Sequence, residues 1–285
     1  MAVLTLDRWN LAIGAGKPLV VIAGVNVLES EALALEVAAH LKGVCAELGL
    51  PYVFKGSYDK ANRSSITSYR GPGLAEGLRI LAEVKRQVDV PIATDVHTPE
   101  EAEAVAQVAE IVQIPAFLCR QTDLVTAAAR ATKAAGGWLH VKKGQFLAPW
   151  DCRHIRDKVR EAAPGEDFLI LCERGASFGY NNLVVDMLGI QEMQQLGVPV
   201  TIDATHAVQL PGADPRSNGA STGGRRSGVP IIAKAAVAAG ADGVFLEFHP
   251  EPDKALCDAP SCLALAEAKG LLATLKALHG AVAAA

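Results

Sequence analysis

Aromatic residues are scarce in this sequence. They make up 5% of its 285 residues, although half of all residues are hydrophobic, so the core must be aliphatic. Long apolar runs are missing too, because the longest, residues 18–28, already contains Asn26 and a bilayer span needs about 20 residues. The amino-terminal residues lack the basic flank and apolar stretch of a signal peptide. These absences predict a soluble cytoplasmic protein that does not enter a membrane.

Close cysteine pairs and an excess of basic charge are also absent. Without a CxxC pair, a zinc knuckle is not expected, and at this length a disulfide scaffold is not expected either, so we expect reduced thiols. The 27 basic and 31 acidic residues give a net charge of −4, which does not indicate a nucleic-acid partner. The six dispersed cysteines are Cys45, Cys119, Cys152, Cys172, Cys257 and Cys262.

Eight short, β-branched runs recur along the chain and alternate with Ala-, Leu- and Glu-rich segments of helical periodicity. This alternation predicts an α/β fold with a parallel sheet, and eight repeats close naturally into a (β/α)8 TIM barrel. An open, doubly wound sheet is the alternative, but no GxGxxG motif follows the first run. The expected strands are 19–23, 52–55, 91–95, 111–115, 139–142, 168–172, 198–203 and 243–247, and the clearest expected helices are 29–47, 73–87, 99–109 and 122–135.

The residues before the first barrel strand contain two short apolar runs, 3–9 and 10–13, around a polar centre. We expect them to form a small β-hairpin that caps the bottom of the barrel. No Pro- or Ser-rich linker and no low-complexity tract divides the chain, so residues 1–285 are predicted to be a single domain. Two long loops, 56–72 and 206–228, are expected at the opposite end, and the second is a candidate lid.

Polar residues stand at the carboxyl end of each expected strand, where the active sites of TIM barrels lie. The segment after the second strand carries the cations Lys55, Lys60, Arg63 and Arg70, although the chain as a whole is acidic. Together with Lys142 and Arg174 at later strand ends, these cations favour a site for phosphate or carboxylate groups over a set of structural salt bridges. A lysine that forms a Schiff base is a further alternative, because neighbouring cations would lower its pKa.

His206, Glu247 and Asp258 are three candidate ligands for a divalent metal at the barrel mouth. The first strand delivers Asn26 to the fourth position, and a neutral amide is a poor ligand for a soft transition metal. We therefore expect a hydrogen-bonded network without a metal. His97 either orients an aldehyde or caps its strand, and the sequence does not choose between these roles. Cys257, His140 and His249 are expected to be structural.

Eight motifs, which occur in order between about residues 18 and 275, together resemble the 3-deoxy-D-manno-octulosonate 8-phosphate (KDO-8-phosphate) synthase family. The resemblance implies a TIM barrel, commonly homotetrameric, that condenses phosphoenolpyruvate with arabinose 5-phosphate and water and releases phosphate. It implies no cofactor. The motifs are KGSYDKANRSS (55–65), YRGPG (69–73), TDVH (94–97), QIPAFLCRQTD (113–123), KKGQF (142–146), CERG (172–175), DATH (203–206) and CD (257–258).

The resemblance also assigns roles to individual residues. Asn26 on strand one and the Cys257-Asp258 pair are typical of the metal-independent members of the family, whereas Val25 and Ala259 depart from its usual pattern. The catalytic set would be Asn26, Lys142, His206, Glu247 and Asp258. The substrate-binding set would be Lys55, Ser57, Lys60, Asn62, Arg63, Ser64, Asp95, Phe117, Arg120, Gln145 and Arg174, with Arg63 and Ser64 on the sugar phosphate and Phe117 and Arg120 near a subunit boundary.

Three alternatives remain from the sequence. A 3-deoxy-heptulosonate phosphate synthase and a sialic acid synthase would use the same barrel and phosphoenolpyruvate. Asn62 to Ser65 favour the arabinose enzyme, and the absence of a cysteine on strand one disfavours the metal-using heptulosonate enzyme. A barrel that binds phosphorylated metabolites as a sensor, without catalysis, is the third alternative. The complete set of expected catalytic residues disfavours it.

Overall fold

A computed structural model of the chain describes residues 2–212 and 222–283. Eight parallel strands form the centre of the fold. Each is hydrogen-bonded to its neighbours in chain order, and the last pairs with both the first and the seventh, which closes the barrel. The barrel strands are β3 (Val20–Gly24), β4 (Tyr52–Lys55), β5 (Ile92–Asp95), β6 (Ile111–Ile114), β7 (Trp138–Lys142), β8 (Leu169–Glu173), β11 (Val200–Asp203) and β14 (Gly243–His249).

These strands confirm the predicted (β/α)8 barrel, and their bounds differ from the expected ones by only one or two residues. Every residue of the eight strands is buried. Burial on both faces explains why the runs read as continuously apolar instead of alternating. Each strand could therefore be recognised in the sequence as a continuous apolar run.

Helices surround the barrel and follow the strands in the predicted alternation. Helix α1 begins where the Ser30 side chain accepts a hydrogen bond from the Leu33 amide, and it ends at Gly49, which adopts the left-handed conformation at a φ of 63°. The helices are α1 (Glu31–Leu48), α2 (Leu74–Val84), α3 (Ala102–Val108), α4 (Thr122–Ala135), α5 (Arg153–Ala162), α6 (Leu188–Gln194), α7 (Ala204–Ala207), α8 (Val229–Ala238) and α9 (Ala268–Ala283).

The predicted amino-terminal hairpin is present as β1 (Leu4–Leu6) paired antiparallel with β2 (Leu11–Ile13). Its buried residues form a second apolar cluster with the side chains that fill the lower barrel interior. The Trp138 indole of β7 also donates a hydrogen bond of 3.2 Å to the Thr5 carbonyl. The hairpin therefore closes the amino-terminal end of the barrel, as expected.

The remaining short strands lie in the segments that follow β8, β11 and β14. They are β9 (Ala176–Ser177), β10 (Leu183–Val184), β12 (Gln209–Leu210), β13 (Gly223–Gly224) and β15 (Leu263–Ala264). The candidate lid, 206–228, falls partly on residues 213–221, which lie outside the described residues. Among the described helices, none combines the length and the apolar character that a membrane span requires.

Candidate active site

Polar side chains converge at the carboxyl ends of the barrel strands, where they line a pocket of about 560 Å³. Of the sequence-predicted residues, Asn26, Ser57, Arg120 and Glu247 are not part of the lining. The twelve that are part of it are Lys55, Lys60, Asn62, Arg63, Ser64, Asp95, Phe117, Lys142, Gln145, Arg174, His206 and Asp258.

Lys55 lies at the floor of this pocket and is 1% exposed. Its position depends on Gly24 of the neighbouring strand, because a Cβ there would lie 2.0 Å from the Lys55 carbonyl oxygen. The Lys55 ammonium is 3.6 Å from Asp95 Oδ1 and 3.8 Å from Glu247 Oε1. Burial and the nearby Lys60 lower the pKa of Lys55 to about 8, although the two carboxylates oppose that shift. Lys55 is therefore cationic at neutral pH, but it gives up its proton more readily than a surface lysine.

Asp95 receives several polar contacts at the end of β5. Its Oδ2 accepts a 2.9 Å hydrogen bond from the Ser57 hydroxyl and lies 3.1 Å from His97 Nε2. Burial alone would raise the pKa of Asp95, but the attraction of Lys55 and the contact with His97 outweigh it and hold the pKa well below its usual range. Ser57 thus acts beneath the pocket lining, where it holds a carboxylate that faces the pocket.

Asp203 links the two predicted catalytic residues Lys142 and His206. It forms a buried ion pair with the Lys142 ammonium, and its Oδ2 lies 2.7 Å from His206 Nδ1. The Lys142 ammonium also lies 3.8 Å from the centre of the Phe245 ring. Asp203 belongs to the DATH motif (203–206) of the family resemblance, but it was not among the predicted site residues. Its dual pairing depends on β7 and β11 lying on either side of β8.

Asn26 joins a cluster with Glu247, Asp258 and His206. Its amide nitrogen donates hydrogen bonds to Glu247 Oε2 and, at 3.0 Å, to Asp258 Oδ2. His206 Nε2 lies 3.6 Å from an oxygen of each carboxylate. Burial disfavours the imidazolium, but the attraction of Asp203 and Glu247 outweighs it and raises the pKa of His206. The cluster is therefore a network of charged groups in which the Asn26 amide donates to both carboxylates.

Asp258 adopts the left-handed conformation at a φ of 50°, which is uncommon for a residue other than glycine. Its carbonyl accepts hydrogen bonds from the amides of Ser261 and Cys262, at 2.9 and 3.1 Å. Burial would raise the pKa of the Asp258 carboxyl, but His206, Lys60 and Asn26 hold it well below its usual range. Asp258 therefore lines the pocket from a strained turn, and these three neighbours keep its carboxylate ionised.

Arg174 follows β8 directly, and it is 5% exposed. Its Nη2 donates a 2.9 Å hydrogen bond to Gln209 Oε1, and its backbone amide donates to Glu173 Oε1 at 2.8 Å. Nη1 has no hydrogen-bond partner among the described residues, although it is buried. Gln209 was missed in the sequence analysis, because it lies beyond a strand end and no spacing distinguishes it. The free face of the guanidinium can bind an anion in the pocket.

The loop between β4 and α2 forms the rim of the pocket. Arg63 Nη1 contacts Cys257 Sγ at 2.6 Å, and Nη2 donates to the Leu256 carbonyl at 3.3 Å. Asn62 and Ser64 lie beside it and are exposed. Arg70 of the same loop does not line the pocket and instead forms an exposed pair with Asp59, with a 2.8 Å bond from Nε. Only part of the cationic segment therefore faces the pocket.

Phe117 and Arg120 lie in the loop after β6. Phe117 is 51% exposed and lines the pocket. Arg120 is exposed and does not line the pocket, and its carbonyl accepts a 3.1 Å hydrogen bond from Lys158 on α5. Within one copy of the chain, Arg120 is thus not part of the pocket lining.

Comparison with known proteins identifies the family. The model of the DAHP synthetase I family matches residues 2–283. A protein of Azoarcus sp. (strain BH72) is 53% identical over 96% of this chain and 95% of its own, and one of Hahella chejuensis is 53% identical over 99% and 97%. A third, from Pseudomonas putida (strain GB-1), is 54% identical over 96% and 94%. All three are named 2-dehydro-3-deoxyphosphooctonate aldolase. The chain belongs to the DAHP synthetase I family.

Proposed function

We propose that this protein is a KDO-8-phosphate synthase, which is another name for a 2-dehydro-3-deoxyphosphooctonate aldolase. The reaction joins phosphoenolpyruvate, arabinose 5-phosphate and water to give 3-deoxy-D-manno-octulosonate 8-phosphate and inorganic phosphate. The observation that carries the proposal is the pocket itself, which collects basic side chains from three strand ends and one loop in an otherwise acidic chain. Those cations are Lys55, Lys60, Arg63, Lys142 and Arg174.

The floor of the pocket suits phosphoenolpyruvate, which carries a carboxylate and a phosphate. Lys142 and Arg174 each keep one buried partner, Asp203 and Gln209, which holds the cation in place for a ligand. Lys55 and Lys60 add positive charge on the other side, and Gln145 lines the pocket with a buried carbonyl oxygen that has no partner among the described residues. Four cations around one ligand neutralise its charge and fix its orientation.

The rim suits the phosphate of arabinose 5-phosphate. Arg63 offers a planar guanidinium, and Asn62 and Ser64 offer neighbouring hydrogen-bond donors. Asp95 and His206 lie between this rim and the floor, where the sugar aldehyde and its hydroxyl groups would be placed. Two anionic substrates would then lie end to end, with their reacting carbons facing each other.

In the reaction, C3 of phosphoenolpyruvate forms a bond to the sugar aldehyde carbon, and positive charge develops at C2. Water adds to C2, and the C–O bond to phosphate breaks, which releases inorganic phosphate and leaves the ketone. His206 and Asp258 are the groups placed to carry protons of the water and the aldehyde oxygen, because each lines the pocket, His206 contacts Glu247 and Asp258 contacts Asn26. The lysines of the pocket that are paired with carboxylates are held as cations, which favours a role in stabilising negative charge over the formation of a Schiff base.

We also propose that the reaction requires no metal. His206, Glu247 and Asp258 could hold a divalent ion, since one ligand atom from each lies within 4.8 Å of the others. However, Asn26 directs two N–H donors at Glu247 and Asp258, and an amide N–H group competes with a cation for the same carboxylate oxygens. Asn26 therefore fits a role as a donor in a hydrogen-bonded network better than a role as the fourth ligand of a metal.

We further propose that the chain is a homo-oligomer, as the tetrameric family implies. Large apolar side chains are exposed in the segments that follow three adjacent strands, β6, β7 and β8, and one of them, Phe117, also lines the pocket. A second copy would cover this surface and would bring Arg120 close to a neighbouring mouth. The exposed residues are Phe117, Phe146, Trp150, Phe178, Tyr180, Val184 and Leu188.

We also propose a cytoplasmic location, because six free cysteines are typical of a reducing compartment. Residues 1–285 are proposed to form one domain.

A coupled assay of phosphate release tests the function. Phosphoenolpyruvate is supplied with arabinose 5-phosphate, erythrose 4-phosphate or N-acetylmannosamine in parallel, and we expect rapid release only with the first. Preference for erythrose 4-phosphate would indicate a heptulosonate enzyme, which the family model also covers by name. Binding of both substrates without turnover would indicate a sensor. Light scattering of the same sample measures the oligomer, and a monomer would contradict the tetramer.

A further inference from the structure

Glu101 lies just outside the pocket, at the start of the helical segment that continues into α3. It does not line the pocket, yet its carboxylate receives a set of hydrogen bonds. Oε2 accepts from the Tyr58 hydroxyl at 2.7 Å, from the His97 amide at 2.7 Å and from the Thr98 amide at 3.3 Å. These donors anchor the carboxylate directly behind His97, which does line the pocket.

His97 is thereby held between two carboxylates. Nε2 lies 3.1 Å from Asp95 Oδ2, and Nδ1 lies 3.4 Å from Glu101 Oε2, while only 9% of the side chain is exposed. A neutral imidazole carries one N–H, so one ring nitrogen would present its lone pair to a carboxylate. The imidazolium carries an N–H on both nitrogens and is attracted to both neighbours. The two carboxylates therefore favour the charged form of His97, although Nδ1 forms no hydrogen bond within the described residues.

We propose that Glu101 is a positioning residue: it keeps His97 in the imidazolium form, and His97 in turn holds Asp95 in place at the sugar end of the mouth. The consequence for catalysis rests on the function proposed above. This proposed role also bears on the question that the sequence left open for His97: the side chain orients a carboxylate and does not simply cap its strand.

The charges around His97 agree with this role. Burial alone would lower the pKa of His97, but Asp95 and Glu101 outweigh it and raise the pKa to about 9. The pKa of Glu101 is lowered to about 2, against the effect of burial, mainly by His97. Among the described residues, the other neighbours are the Tyr58 ring, edge-on at 5.5 Å, and the lysines Lys55 and Lys60, which face Asp95.

The sign of the pH dependence follows from these pKa directions. Below about pH 9, His97 donates to Asp95 and fixes the carboxylate. Above that pH the imidazole loses one N–H, and a lone pair then faces one of the two carboxylates. Asp95 is then held less firmly by His97, so kcat/KM for arabinose 5-phosphate should fall on the alkaline side, in addition to the fall caused by Lys55, whose pKa is about 8.

The test is Glu101→Gln, which keeps an oxygen acceptor for Tyr58 and His97 but removes the charge. Histidine NMR titration, with the His97 signal assigned from its loss in His97→Gln, should show the pKa of His97 falling by about one unit. The alkaline limb of kcat/KM for arabinose 5-phosphate should move down by less than the pKa of His97, because Lys55, whose pKa is about 8, loses its proton in the same pH range, and the change near pH 7 should be less than about twofold. Glu103→Gln, an exposed change on α3, is the matched control and should alter neither.

An unchanged pKa of His97 in Glu101→Gln would overturn the proposal. A lowered pKa with an unmoved alkaline limb would overturn the positioning role. The titration needs no substrate, so it still decides whether Glu101 holds the charge if the wild type fails to turn over arabinose 5-phosphate. That failure would count against the proposed function instead.

Discussion

The two ends of the barrel are made from the same eight strands but have opposite chemistry. At the amino-terminal end, the interior is filled by apolar side chains such as Val20, Ile22 and Ile170, and the hairpin of β1 and β2 seals it. At the carboxyl-terminal end of the same strands, buried polar residues such as Lys55 and Glu247 replace the apolar residues within one or two positions along the chain. Position along a strand therefore separates stability from chemistry, as expected for this architecture.

The cost of burying charge explains the structure of the upper end. Each buried cation there has a carboxylate or amide within reach, and each buried carboxylate has a donor, because an unpaired buried charge is strongly destabilising. Some hydrogen-bonding capacity is left over, because Arg174 Nη1 and Gln145 Oε1 have no partner in the part of the chain that the structure describes. The lower end requires no such pairing, so its residues can be exchanged without changing the chemistry. Four changes test this difference, ordered by their expected effect on turnover.

The largest effect is expected from Lys142→Ala at the upper end. It removes a cation that would contact the charge of phosphoenolpyruvate, and it leaves Asp203 paired with His206 but without Lys142. We expect kcat/KM to fall by about 10³-fold, on the order of 4 kcal/mol of transition-state stabilisation. Steady-state kinetics measure this, and Lys234→Ala on the exposed surface of α8 is the control. A loss below tenfold in a folded variant would contradict the role of Lys142.

Arg63→Ala should act on one substrate only. It removes the guanidinium at the rim, so KM for arabinose 5-phosphate should rise by about 10- to 100-fold, while KM for phosphoenolpyruvate changes by less than about threefold. Arg70→Ala is the matched control, because Arg70 belongs to the same loop but does not itself line the pocket, although its partner Asp59 does. Equal losses for both substrates would contradict the separation between floor and rim.

Much of this arrangement could be predicted from the sequence, for a physical reason. Strands buried on both faces give continuous apolar runs, and the polar residue that ends each run marks the mouth. What could not be predicted depends on contacts between distant segments. Arg63 contacts Cys257, which is 194 positions away, Gln209 contacts Arg174 from beyond a strand end, and Arg120 does not line the pocket. No spacing in the chain carries that information.

Ile13→Ala tests the lower end. Ile13 is fully buried in the hairpin cluster, so the change should lower the free energy of unfolding by about 2–5 kcal/mol. At a temperature where the variant is folded, kcat and both KM values should stay within about twofold of the wild type. Urea unfolding and kinetics on one sample measure both. Ile231→Ala is the control, because Ile231 is 63% exposed. A large loss of kcat in folded Ile13→Ala would contradict the separation of the two ends.

The smallest effect is expected from chelation, which tests how the upper end balances its buried carboxylates. If the Asn26 amide satisfies Glu247 and Asp258, no divalent ion is needed between them, and dialysis against a strong chelator should leave kcat and both KM values unchanged. Asn26→Asp replaces that donor with a third carboxylate beside His206, which makes a four-ligand oxygen and imidazole set. We expect this variant to bind a divalent ion that the wild type does not bind, as measured by calorimetry with Mn²⁺. Loss of wild-type activity on chelation, with recovery on adding a divalent ion, would show instead that the two carboxylates share a metal, and that the amide is only one of its neighbours.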